Sequence, residues 1–291
     1  MGRIYQCVGH YAETAYTIKR TWIHIHCVEE LCYYICNNAY LLEGDFINQE
    51  MLLWLDSECM LPALAKTLRA QIRQGVRLEA QVRLLLETVH YCPAEEIDAI
   101  VGMIAANDSM NTKQKNKIRA DYFLKNERYA LALQAYEELA EELEKELTEN
   151  KNEKNGKDEK NDKLMASVYY NMGVIYAHLF LFGQAGEYFK MAYEKQEKEE
   201  YQVAYLAIRR ILGPDAEYLR LIGENEEYYQ ASRVLEHMMD KTDKDWKTSE
   251  EHIRFMEMRR LRETGSIEAY TRQVEQMNSA CKELYRNMVI E

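Results

Sequence analysis

Apolar residues along the chain change their period near residue 27. Before that point, "YTIKRTWIHIH" sets Ile18, Trp22 and Ile25 among polar residues. This imperfect alternation predicts one β-hairpin or a small sheet. From Val28 onward the spacing is helical. In "VEELCYYICNNAYLL", Val28, Leu31, Cys32 and Ile35 recur at i, i+3, i+4 and i+7, which predicts a helix with one buried stripe, stopped at Asn37 and Asn38. Apolar residues three or four apart predict further helices over 46–57, 61–74, 77–90 and 94–106. Pro62 and Pro93 stand near helix starts, where a missing N–H costs little, and Gly75 ends one helix just before the next begins. Connections this short fold consecutive helices into antiparallel pairs.

Composition strengthens the helical reading. Only 3 prolines and 12 glycines occur in 291 residues, too few for the many turns of a strand-rich fold, so the expected class is mainly α. The stretch "TENKNEKNGKDEKNDK", 148–163, has no apolar residue. It has no surface to bury against its ordering entropy, so it predicts a solvated loop, with the preceding "ELAEELEKEL" carrying a helix to about residue 147. The tail after 241 keeps helical spacing, broken at Gly265 and restarted with Ser266 as N-cap.

Charge and cysteine usage then narrow the function classes. A formal charge of -12 repels phosphate backbones, so no nucleic acid is expected as a partner. No apolar run approaches the roughly 20 residues of a membrane helix, and the N-terminal residues show no secretory pattern. Seven cysteines without a spacing pattern do not form a disulfide framework. The expectation is a soluble, cytoplasmic protein that makes no membrane contact.

A resemblance sharpens the fold. In "YYNMGVIYAHLFLFGQAGEYFKMA", Tyr169, Met172-Gly173, Tyr176, Ala185 and Phe189 fall at the positions of a tetratricopeptide repeat, with Tyr for its Trp and Met for its Leu. The segment resembles such a repeat, with Gly173 and Ala185 small at the helix crossing and Phe182-Gly183 as the turn. A second copy lies in "KIRADYFLKNERYALALQAYEELA", aligning Ala120 with Gly173, Phe123 with Tyr176, Tyr129 with Phe182, Ala132 with Ala185 and Tyr136 with Phe189. The copies lie farther apart than the period of about 34 residues, by about the length of the helix end and charged loop. Residues 200–239, with a Gly-Pro-Asp turn at 213–215, read as a modified third unit. The N-terminal region is similar to the leader domain of bacterial tetratricopeptide proteins, through "VEELCYYICNNAY". The expected organisation is therefore a mostly helical domain over 1–110 with a short strand segment, helical repeats over 111–240 with the charged insertion at 148–163, and capping helices over 241–291.

The resemblance implies a site. First helices of tetratricopeptide units line a concave groove for a peptide or partner helix. By alignment that groove presents Lys117, Asp121 and Lys125 from the first copy and Tyr170, Asn171, Val174 and His178 from the second. The expected function is thus a non-enzymatic adaptor or scaffold that binds a protein or peptide segment, with no cofactor. If the flanking helices fill the groove, the chain occupies it itself. Lys66, Arg69 and Arg73 form a candidate docking patch for an acidic or phosphorylated partner. Two alternatives remain. One is a peptide-responsive regulatory sensor, for which the strand-like start offers no helix-turn-helix. The other is a metal- or thiol-dependent enzyme using "WIHIHCVEELCYYIC", where His24 and His26 share a strand face and Cys32 and Cys36 a helix face, with Cys27 adjacent. That cluster lacks C-x2-C, H-x3-H and HExxH spacing, so neither a catalytic residue nor a metal ligand is assigned.

Overall fold

A computed structural model describes residues 8–107, 109–149 and 157–289. Among the described residues it contains one two-stranded sheet and fourteen α-helices, so the protein is mainly α with a small N-terminal hairpin. No described helix is long and apolar enough to cross a membrane. The chain divides into two compact units, Met1–Arg119 and Ala120–Glu291. The division falls inside α6, Thr112–Lys125.

In the first unit, strands β1 (Tyr16–Ile18) and β2 (Ile23–Ile25) pair antiparallel, Tyr16 opposite Ile25 and Thr17 opposite His24. The turn between them bonds the amides of Thr21 and Trp22 to the carbonyl of Ile18 and holds Trp22 at φ 54°. Trp22 therefore sits in the turn and is exposed, while Ile18 and Ile25 are buried. The alternation read from the sequence slips there because the turn takes up the position between the strands. Helix α1 (Val28–Asn38) follows, and Val28, Leu31, Cys32 and Ile35 are completely buried as one stripe. After a 3-10 turn at Ala39–Leu41 come α2 (Gln49–Ser57), α3 (Pro62–Arg73), α4 (Leu78–Val89) and α5 (Ala94–Asn107). Asn48 caps α2, its Oδ1 accepting from the Met51 amide at 3.0 Å. Pro62 opens α3, and Gly75 adopts φ +69° in the short α3–α4 connection. Buried polar groups tie remote segments to this core: Trp54 Nε1 donates to the Thr14 carbonyl (3.1 Å), and Asn107 Nδ2 to that of Ala39 (3.0 Å).

The second unit contains α7 (Tyr129–Glu149), α8 (Lys157–His178), α9 (Phe182–Lys195), α10 (Glu199–Leu212), α11 (Asp215–Glu224), α12 (Tyr228–Thr248), α13 (Glu250–Glu263) and α14 (Ile267–Val289). Each of α7 to α10 packs on the next, and α14 returns to pack on α7. Two turns repeat the same geometry. After α6, Glu127 adopts φ 59° and the Arg128 amide bonds the Phe123 carbonyl; after α8, Phe180 adopts φ 60° and the Leu181 amide bonds the Tyr176 carbonyl. Phe123 and Tyr176 are the residues aligned in the sequence, so the repetition extends to backbone conformation. The turn thus lies at Leu179–Leu181, one step before the expected Phe182-Gly183, because Phe180 takes up the left-handed conformation and Phe182 already begins α9.

The charged stretch 148–163 is not loop throughout. Residues 148–149 end α7, residues 157–163 open α8, and 150–156 lie outside the described residues. The polar start of α8 is held by Lys163 Nζ on Glu159 (2.6 Å, one helical turn apart) and by Lys195 Nζ of α9 on Asp162 (3.2 Å). Such pairs leave no apolar period to read.

Small residues set the approach of α8, α9 and α10. A Cβ added at Gly173 of α8 would lie 2.7 Å from the Phe189 ring of α9, and one at Gly186 of α9 would lie 3.1 Å from Ile208 of α10. Ala185 is fully buried in the same cluster. Gly173→Val is expected to lower stability by about 1–3 kcal/mol, the usual range for overpacking a filled core. A urea-unfolding midpoint equal to that of the unsubstituted chain would show that the two helices do not approach this closely.

Candidate partner-binding site

Four of the seven groove positions lie on α8, and they diverge into three environments. Asn171 faces α6 and α7. Its Nδ2 donates to Asp121 Oδ1 at 3.0 Å and to the Tyr136 hydroxyl at 2.8 Å, while that hydroxyl donates to the same Asp121 oxygen at 2.5 Å. Tyr136 is fully buried. Burial first, and then the Asp121 charge, push its phenol well above the ordinary range. Asp121 and Asn171, expected to receive a ligand, are thus brought together to clamp three helices. A carboxylate and a phenol hydroxyl joined in low dielectric make a directional tie that neutral packing lacks.

Tyr170 turns toward α9 and α10. Its ring centroid is 5.4 Å from Phe189 and 4.8 Å from Tyr201. Its half-buried phenol is pushed up to about 12 by burial and, less strongly, by Glu200. It contributes to packing as much as to surface.

Val174 and His178 face an open, mostly apolar pocket of about 330 Å³, together with Ala177, Phe180 and Phe189 of α8–α9 and Met288 of α14. His178 is exposed and stacks on Tyr129, with centroids 5.2 Å apart and planes 20° from parallel. Phe180 is 67% exposed, edge-on to Phe182. Met288 shows that the end of the chain's last helix reaches this side of α8, so the surface is shared with the chain itself. Phe180 and Met288 were not among the residues singled out in the sequence; the apolar "LFLF" at a helix end was the available signal for Phe180, and Met288 gave none. Of the first-copy positions, Lys125 is exposed at the end of α6, and Lys117 falls in the first unit, half-buried.

The basic patch on α3 is partly neutralised. Arg69 lies 3.9 Å from Asp56, while Lys66 and Arg73 are exposed. The histidine and cysteine positions separate: His24 Nδ1 lies 2.8 Å from the Thr17 hydroxyl, His26 Nδ1 3.0 Å from the Ala12 carbonyl, Cys32 is fully buried, and Cys36 Sγ is 4.0 Å from Cys92 Sγ. Among the described residues no group of three or more His, Cys, Asp or Glu is placed to hold a metal ion. Burial pushes the Cys36 and Cys59 thiols up to about 12 and Cys32 higher still, the opposite of the shift that makes a nucleophilic thiolate.

No family model matches the chain, and neither does any curated protein or solved structure.

Two outcomes follow from the buried phenols. Tyr136→Phe removes the donor to Asp121 and is expected to lower stability by about 1–3 kcal/mol, the range for orphaning a buried polar group; urea unfolding reads it, and an unshifted midpoint would mean the clamp carries nothing. The unfolded chain ionises its tyrosines near pH 10, below the raised values of Tyr136, Tyr169 and Tyr170 in the fold. Stability present below about pH 10 is therefore lost as the pH rises through about 12, and Tyr170→Phe should make that fall shallower in pH-dependent thermal unfolding.

Proposed function

We propose that the second unit is a tetratricopeptide-like adaptor module that binds a segment of a partner protein and performs no chemistry of its own, in the cytoplasm. The observation that carries this reading is the surface at the end of α8. There Phe180 stands exposed beside an open apolar pocket with His178 at its edge. An aromatic ring held in solvent by a left-handed backbone is an anchor of the kind that dominates protein interfaces. The repeated turn geometry at Glu127 and Phe180, and the small residues at the α8–α9 crossing, support the repeat type. The partner contributes an apolar side chain to the pocket, from an amphipathic helix or an extended segment.

The test is affinity capture from the native cell with the unsubstituted chain and with His178→Ala/Phe180→Ala, which removes rings that the fold leaves exposed. A specific protein retained by the first, and reduced at least tenfold by the double variant at unchanged urea stability, is expected. Lys190→Ala, on an exposed position of α9, should retain it. Equal retention by the double variant would remove this surface from the function.

A further inference from the structure

The first unit holds a second pocket, of about 330 Å³, unrelated to the groove. Its size suits a small molecule and not a macromolecule. It forms where the β1–β2 turn, the connection 41–48 and α6 meet.

Three cations line it, Lys19, Arg20 and Arg119, against two carboxylates, Glu43 and Asp45. Lys19 is engaged outward with Glu50 at 2.6 Å. Arg20 pairs through its Nη1 with Glu43. Its Nε is buried and has no hydrogen-bond partner among the described residues. Arg119 lies close enough for its Nε to donate to the Arg20 carbonyl at 3.2 Å. Burial and then the Arg119 charge both disfavour the charged Arg20 guanidinium. A guanidinium does not give up its proton in a protein, so the two like charges repel in a partly desolvated space.

An apolar wall adjoins the charges. Phe46 and Tyr34 stack with centroids 6.0 Å apart and planes 11° from parallel, and both line the pocket. Polar groups gathered at one side of a concave apolar surface are the general form of a small-ligand site.

We propose that this pocket binds a small organic oxyanion, a carboxylate or a phosphate, held between the Arg20 and Arg119 guanidiniums with its apolar part against Phe46. The planar guanidinium fork matches both kinds of oxyanion. Glu43 competes with the ligand for Arg20, so the site is tuned toward modest affinity.

The test measures thermal unfolding and titration calorimetry of the full chain with inorganic phosphate and, separately, with benzoate, each against chloride at matched ionic strength. Saturable stabilisation by either is expected, and the anion that gives it identifies the ligand class. Arg119→Gln should weaken binding at least tenfold, and Glu43→Gln, which removes the competing carboxylate, should tighten it several-fold. Absence of saturable binding by both anions would overturn the proposal, as would equal affinity in Arg119→Gln. If Arg119→Gln fails to fold, Glu43→Gln decides, and an affinity there no tighter than that of the unsubstituted chain overturns it.

Discussion

The second unit depends on how closely α8 and α9 cross. Gly173 lets the Phe189 ring lie where a Cβ would otherwise stand, at 2.7 Å. With that distance fixed, the remaining faces of α8 are assigned. One face meets α7, where Tyr136 and Asn171 close on Asp121; another meets Tyr201 of α10 through Tyr170; and at the end of the helix His178 and Phe180 are exposed beside Met288 of α14. Packed interiors accommodate a change of volume poorly, so a displaced α8 would disturb the clamp and the exposed end together. The exposed surface at the end of α8 is in this sense a consequence of the packing, since the residues that anchor α8 determine which of its side chains are left over.

The first unit is organised differently. Its hydrophobic stripe on α1 is continuous with the buried faces of α2 to α5 and with the inner residues of the hairpin. Its polar features lie at the margins of that core. Cysteines serve there as small apolar residues, and burial raises their thiols accordingly. The cations of the hairpin turn and of α6 instead line a pocket together with Glu43 and Asp45.

Much of the fold was legible in the sequence because helices announce themselves by period. The stripe Val28, Leu31, Cys32 and Ile35 is buried as its spacing requires, and Pro62, Gly75 and Gly265 punctuate the chain where helix termini need them. The start of α8 was not legible, since residues 157–163 carry no apolar residue and their helix is held by ion pairs, one of them to α9. Trp22 was misplaced because alternation continues through a turn that the period cannot register. The candidate site was legible only as a set of positions on a face. Alignment placed Asp121 and Asn171 beside a ligand, yet a hydrogen bond between residues 50 apart in sequence has no local signal. The convergence of Arg20 with Arg119, 99 residues away, was hidden for the same reason.

The most direct test of the close crossing is a double-mutant cycle between Gly173→Val and Phe189→Leu, read by urea unfolding. If the ring occupies the space above Gly173, the shorter Leu side chain makes room for the added Val. The double variant is then more stable than the sum of the two single effects predicts, by about 1 kcal/mol or more, within the range for residues in contact. Additive effects, to within about 0.3–0.5 kcal/mol as for independent sites, would contradict the account.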